Sequence, residues 1–257
     1  MSTILLSRKV DFVNSRQKLQ ILLRRLLTRL DLDSTTIYLD FGSTDFSNSG
    51  MISLKLSRPL RRRDCIYLLD VAALKESAGE NFFTCPGSMV QTPTHGCRSL
   101  KDILESEDMK KIIFDVRDVS RTLFTHYNII LRGVIDLQVM EIVARRSIGI
   151  QSNLVRDLDV CIKEDSPVSK RDIRRRTGIE EKRRKLLVAA QHMNFYNRHA
   201  IPHTEQRKIK KLLTQNIAQN VQFLPGLQRV YQNMLRYGTT KGNRCTYKFP
   251  TIIFQHK

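Results

Sequence analysis

Thr36-Ile37-Tyr38-Leu39-Asp40-Phe41 is a short apolar run with one acid near its end, and a polar, glycine-containing stretch over residues 42–50 follows it. Met51-Ile52-Ser53-Leu54-Lys55-Leu56 then alternates apolar and polar side chains, the period-two pattern of a strand with one exposed face. Cys65-Ile66-Tyr67-Leu68-Leu69-Asp70-Val71 is a third apolar run, reached through the basic connection Arg58-Pro59-Leu60-Arg61-Arg62-Arg63. Three strands with such short connections are expected to pair as an antiparallel meander.

Upstream, residues 15–30 place Leu19, Leu22, Leu23, Leu26, Leu27 and Leu30 on one helical face, with Arg16, Lys18, Arg24, Arg25 and Arg29 largely elsewhere. The leucine face either packs on the domain that follows or belongs to an acid-poor, arginine-rich leader of the mitochondrial type; no cleavage-like spacer separates it from the first strand. Downstream, residues 76–98 carry Gly79, Pro86, Gly87, Pro93 and Gly96 among serines and threonines and read as a loop. Ser99 with Asp102 three residues on predicts a capped helix over residues 99–105. Lys111-Ile112-Ile113-Phe114-Asp115-Val116 predicts a fourth strand, with a helix from Val119 to His126 after it. Gly133-Val134-Ile135-Asp136-Leu137-Gln138 predicts a fifth strand that passes into a helix ending near Arg146. Alternation of strand and helix adds parallel strands to the meander, so the fold class is α/β with a mixed five-stranded sheet flanked by helices. From residue 153 to 235 the pattern is helical, and residues 238–257 form a tail.

Charge is the unusual feature of the composition. Among 257 residues, 44 Lys and Arg face 25 Asp and Glu, a net charge of +19, while 41% hydrophobic residues form an ordinary globular complement. An excess of this size repels itself unless an anion is near, which points to nucleic acid, RNA or DNA. The cations cluster: Arg61, Arg62 and Arg63; then Lys170, Arg171, Arg174, Arg175 and Arg176; then Lys182, Arg183, Arg184 and Lys185, with Arg207, Lys208, Lys210 and Lys211 beyond. They form either a phosphate-binding stripe or solvated helix faces. No apolar run reaches the roughly 18 residues of a membrane span, which excludes an integral membrane protein. Five scattered cysteines without CxxC spacing argue against a zinc site or disulfide framework and for an intracellular setting, cytoplasm or nucleus.

In order and spacing, four stretches resemble the 3′-5′ exonuclease domain of the DEDD class, ribonuclease D type, on the ribonuclease H-like fold. They are Ile37 to Asp40 with the two strands after it; Lys111 to Arg117 with Leu123, Phe124 and Tyr127; Gly133 to Gln138; and Val221-Gln222-Phe223-Leu224-Pro225-Gly226-Leu227-Gln228-Arg229-Val230-Tyr231. The resemblance covers residues 12–235 as one exonuclease-like domain. It implies two Mg²⁺ or Mn²⁺ ions held by an Asp-x-Glu on the first strand, an Asp early in the helix after the fourth strand, and a Tyr-x-x-x-Asp near the end.

This chain departs from that pattern. Asp40 matches the first Asp, but Gly42 stands where the Glu belongs, Val119 where the second-motif Asp belongs, and Asn216 and Asn220 where the Tyr and last Asp belong. Asp115 and Asp118, close to Val119, are residual candidates, and Asp45 is a substitute for the missing Glu. Asp136 resembles a structural position. Hard divalent cations need several converging carboxylate oxygens, so Asp40 as metal ligand without its partners predicts weak or absent two-metal hydrolysis, with Mg²⁺ or Mn²⁺ relevant only if the site is active. Three readings follow: a degenerate exonuclease-like protein that binds nucleic acid, an active exonuclease with displaced carboxylates, and a protein-interaction scaffold with a protein partner.

Overall fold

A computed structural model describes residues 10–27, 36–43, 50–57, 65–79, 82–84, 90–92, 96–150, 154–196 and 203–240. Apolar residues two apart decide the architecture. In β2 (Thr36–Ser43), Ile37 and Leu39 enter one apolar core while Tyr38 enters another. In β4 (Ile66–Asp70), Tyr67 and Leu69 enter the first core, Ile66 and Leu68 the second, and all five residues are buried. The sheet is therefore covered on both faces.

β3 (Gly50–Ser57) pairs antiparallel with both β2 and β4, the expected meander. β7 (Lys110–Ile113) runs parallel to β2, and β8 (Val134–Asp136) parallel to β7. A sixth strand, β1 (Val10–Val13), joins parallel to β4, giving the order β1-β4-β3-β2-β7-β8. The five expected strands keep the ribonuclease H-like arrangement, with β2 in the middle. β1 corrects the five-stranded expectation: four residues are too few to show a period, and the strand exists through its pairing of Val10 to Val13 with Ile66 to Leu69.

On the first face lie α1 (Arg16–Leu27), α2 (Val71–Ala78), α3 (Leu100–Glu105) and α4 (Val116–Tyr127). The leucine face of α1 is inside, with Leu19, Leu22, Leu23 and Leu26 each at most 1% exposed. Asp70 caps α2 by accepting the Ala73 N–H, and a two-stranded ribbon, β5 (Val90–Thr92) with β6 (Gly96–Arg98), lies within the stretch expected to be a loop. Ser99 and Asp102 form the expected capping box. α4 begins earlier than expected because Asp115, in the left-handed region at φ 58°, caps it at Val116.

The second face holds α5 (Leu137–Ser147), α6 (Leu158–Asp165) and α8 (His203–Thr240), with α7 (Lys170–Tyr196) against α8. Val221, Leu224, Leu227 and Tyr231 of α8 are at most 1% exposed and seal the core around Tyr38, Ile66 and Leu68. No helix among the described residues is long and apolar enough to cross a membrane.

Candidate functional site

Tyr38 and Asp40 are two apart on β2 and so share its second face, against α8. The Tyr38 hydroxyl donates to Gln228 of α8 at 2.5 Å. Two turns earlier on that helix, the Asn220 side-chain amide donates to the Asp40 carboxylate. The Asn220 carbonyl oxygen faces the other way and accepts from Arg176 of α7, at 3.2 Å from Nε and 2.7 Å from Nη2. Arg176 also pairs with Asp159 of α6, and its guanidinium carbon lies 6.0 Å from the centre of the Phe223 ring. Three helices thus meet the central strand through one guanidinium and one amide.

Burial pushes the Asp40 carboxyl up to about 6; the Asn220 amide, the Phe41 N–H and the positive charge of Arg176 oppose that rise. Among the described residues no carboxylate acts on it. Among the described residues Asp40 belongs to no group of three metal-ligating side chains. Gly42 brings no side chain, and Val119, 9% exposed, lies in the apolar core with Ile37 and Leu39. Asp118 points to solvent, its side chain 81% exposed and paired with Arg121. Asp115 is occupied as the cap of α4 and by Arg117 at 2.7 and 2.8 Å, which holds its carboxyl below the usual range. Asp45 and the side chain of Asn216 lie outside the described residues.

These donors do not fit the two divalent ions that the family resemblance implies. One carboxylate and an amide oxygen already engaged by a guanidinium cannot balance four positive charges. Asp136 is structural as expected: its carboxylate accepts the N–H groups of Asp115 and Val116 at 3.1 Å each and caps α5 through Gln138.

A second cluster, Glu141, Cys161 and Asp165, brings one possible ligand atom from each residue within 4.8 Å of the others. Arg145 and Arg156 both pair with Glu141, Arg156 also pairs with Asp165, and the Tyr231 hydroxyl donates to Asp165 at 3.0 Å. Burial raises the Cys161 thiol to about 11, so it stays protonated. Two guanidinium groups already neutralise the acids, and the cluster is an ion-pair network joining α5, α6 and α8.

Of the basic residues singled out in sequence, Lys170, Arg171, Arg174, Arg175, Lys182, Arg184 and Lys185 are exposed on α7. Arg171, Arg174, Lys182 and Lys185 share one side of that helix by their spacing and span about 21 Å at 1.5 Å per residue. Arg176 must be removed from that set, since it is 5% exposed and bonded inward. Its place on the helix explains why: Arg176 lies one turn after the buried Asp172 and three residues from the partly buried Ile173 and Ile179, so an inward position holds a charge. Arg61, Arg62, Arg63 and the side chain of Arg183 lie outside the described residues. The site residues missed in sequence are therefore Arg176, as a partner of Asn220, and Asp159.

No family model and no curated protein matches the chain. Among solved structures it is similar to Trypanosoma brucei RNase D in complex with RNA U12, at 16% identity and TM-score 0.46, covering 92% of this chain and 71% of that one. It is also similar to the catalytic core of RRP6 from Trypanosoma brucei, at 14% identity and TM-score 0.48, covering 94% of this chain and 52% of that one, so it spans about half of that protein. A third likeness is to the EXD2 exonuclease domain soaked in Mn and dGMP, at 16% identity and TM-score 0.40, covering 79% and 94%.

Proposed function

We propose that the chain is a nucleic-acid-binding protein on an exonuclease-like fold, one that holds RNA or DNA without efficient two-metal cleavage. The observation that carries this reading is the set of partners around Asp40: an amide and a guanidinium where hydrolysis would need further carboxylates. The net charge of +19 and the exposed cations of α7 support binding through phosphates, which is sequence-independent and steeply salt-dependent.

One experiment tests both halves. A single-stranded RNA oligonucleotide and its DNA counterpart, labelled so that loss of 3′ nucleotides is visible, are incubated with the full chain in Mg²⁺, in Mn²⁺ and in EDTA. The expected result is retardation in all three conditions with no shortening. Shortening that requires Mg²⁺ or Mn²⁺ and disappears in Asp40→Ala would establish a working exonuclease. Absence of retardation at low salt would leave a protein-interaction scaffold.

A further inference from the structure

Arg176 carries a charge in a place where charges are costly. It is 5% exposed, and a buried guanidinium persists only with partners that satisfy its donors. Its partners here are specific. A guanidinium can only donate and an ionised carboxylate can only accept, so a residue between them must accept on one side and donate on the other. Asn220 does so, receiving Nε and Nη2 of Arg176 on its carbonyl oxygen and giving its amide to Asp40. An Asp at this position, as in the family pattern, would set two acceptors against each other. Asn220 therefore fits between the two charges: its carbonyl oxygen accepts from the cation while its amide donates to the carboxylate.

We infer that Arg176 is a built-in replacement for a metal ion, a covalently attached cation that supplies Asp40 with positive charge and makes the site independent of divalent ions. This rests on the reading of the chain as a binding protein and adds the device that keeps the site assembled. Charge and position agree. The guanidinium reaches Asp40 through one intervening amide, pairs on its far side with Asp159, and has the Phe223 ring 6.0 Å from its central carbon. A divalent ion entering beside Asp40 would meet that fixed cation and a neutral amide already engaged.

The test is thermal unfolding of the full chain in EDTA and in millimolar Mn²⁺, for the natural sequence, Asp40→Asn, Asn220→Asp and the double variant Arg176→Gln with Asn220→Asp. The natural chain and Asn220→Asp are expected to unfold at the same temperature in both solutions, because in each the guanidinium is the counter-ion. The double variant, with two facing acids and no internal cation, is expected to gain roughly 4 °C or more in Mn²⁺. If the double variant folds but ignores Mn²⁺ while the natural chain is also inert, the inference fails and the binding reading stands. If the natural chain is stabilised by Mn²⁺ and Asp40→Asn abolishes the effect, both fail. Should the double variant not fold, Asn220→Asp decides: indifference to Mn²⁺ supports the inference, and Mn²⁺-dependent stabilisation overturns it.

Discussion

Arg176 Nη2 lies 2.7 Å from Asn220 Oδ1, and the same nitrogen pairs with Asp159, so a single side chain of α7 ties that helix to α8 and α6 directly behind the central strand. Local chain geometry does not require this bond, because residues 176 and 220 lie 44 apart in sequence. The Asn220 side chain that accepts it turns its amide to Asp40, whose partly buried carboxylate needs a donor.

That need has a pH signature. Burial raises the folded carboxyl of Asp40 to about 6 from an ordinary 3.8, so between those values the folded state holds a proton that the unfolded state has released. Its contribution to stability is therefore highest below about pH 4, falls as pH rises to about 6 and is level above, by at most about 3 kcal/mol. Urea unfolding of Asp40→Asn and the natural chain across this range checks it: the variant should gain relative to the natural chain as pH rises from 4 to 6. A constant difference would contradict the assignment.

Lys111 gives the opposite slope at a higher pH. It is fully buried on β7, where its ammonium donates to the carbonyls of Ile103 and Ser106 at the end of α3. Burial, and to a lesser degree neighbouring Lys110, lower it to about 7 against the pull of Asp108. The unfolded chain then binds the extra proton between about pH 7 and 10.5, so stability contributed by this group should rise over that window. In Lys111→Met that rise should vanish. The variant should also lose about 1–3 kcal/mol at pH 9, because two helix-end carbonyls lose their donor.

Gly133 is fixed by space as well as by backbone. Its φ is +64°, and a methyl there would meet the carbonyl oxygens of Glu107 and Ser106 at 2.8 Å and of Met109 at 2.9 Å. All three oxygens are backbone, so nothing flexible can yield. Gly133→Ala should cost roughly 3 kcal/mol or more in equilibrium unfolding, whereas Gly178→Ala, inside α7 with open space around it, should be neutral or stabilising by up to about 1 kcal/mol.

The exposed cations of α7 predict how binding responds to salt. Replacing Arg171, Arg174 and Lys182 together by Ala should weaken RNA and DNA alike and lower the slope of log affinity against log salt by up to about 2, at roughly 0.7 for each phosphate no longer neutralised. Arg176→Lys should not change that slope, because this charge faces inward. Nitrocellulose retention over a salt series measures both.

The meander and the parallel strands were legible because β2, β3, β4, β7 and β8 carry their period in their own residues, and α3 because Ser99 and Asp102 are a local signal. β1 was not, since its four residues form a strand only against Ile66 to Leu69. The ribbon of β5 and β6 was hidden by Pro93 and Gly96, which also serve in irregular loops. At the site, Asp40 and Asn220 could be paired through the family pattern, but Arg176 looked like its neighbours. In a run of three arginines only the phase of the helix tells which one turns inward, and Arg176 is the one that falls a turn after the buried Asp172 and meets Asn220 of α8.

Equilibrium dialysis of the natural chain against Mn²⁺ at neutral pH, beside Asp40→Asn, tests the account most directly. With a guanidinium serving in place of ions, both proteins should retain the same Mn²⁺, with no sub-millimolar site at Asp40. One or two sites of micromolar affinity in the natural chain, lost in Asp40→Asn, would contradict it.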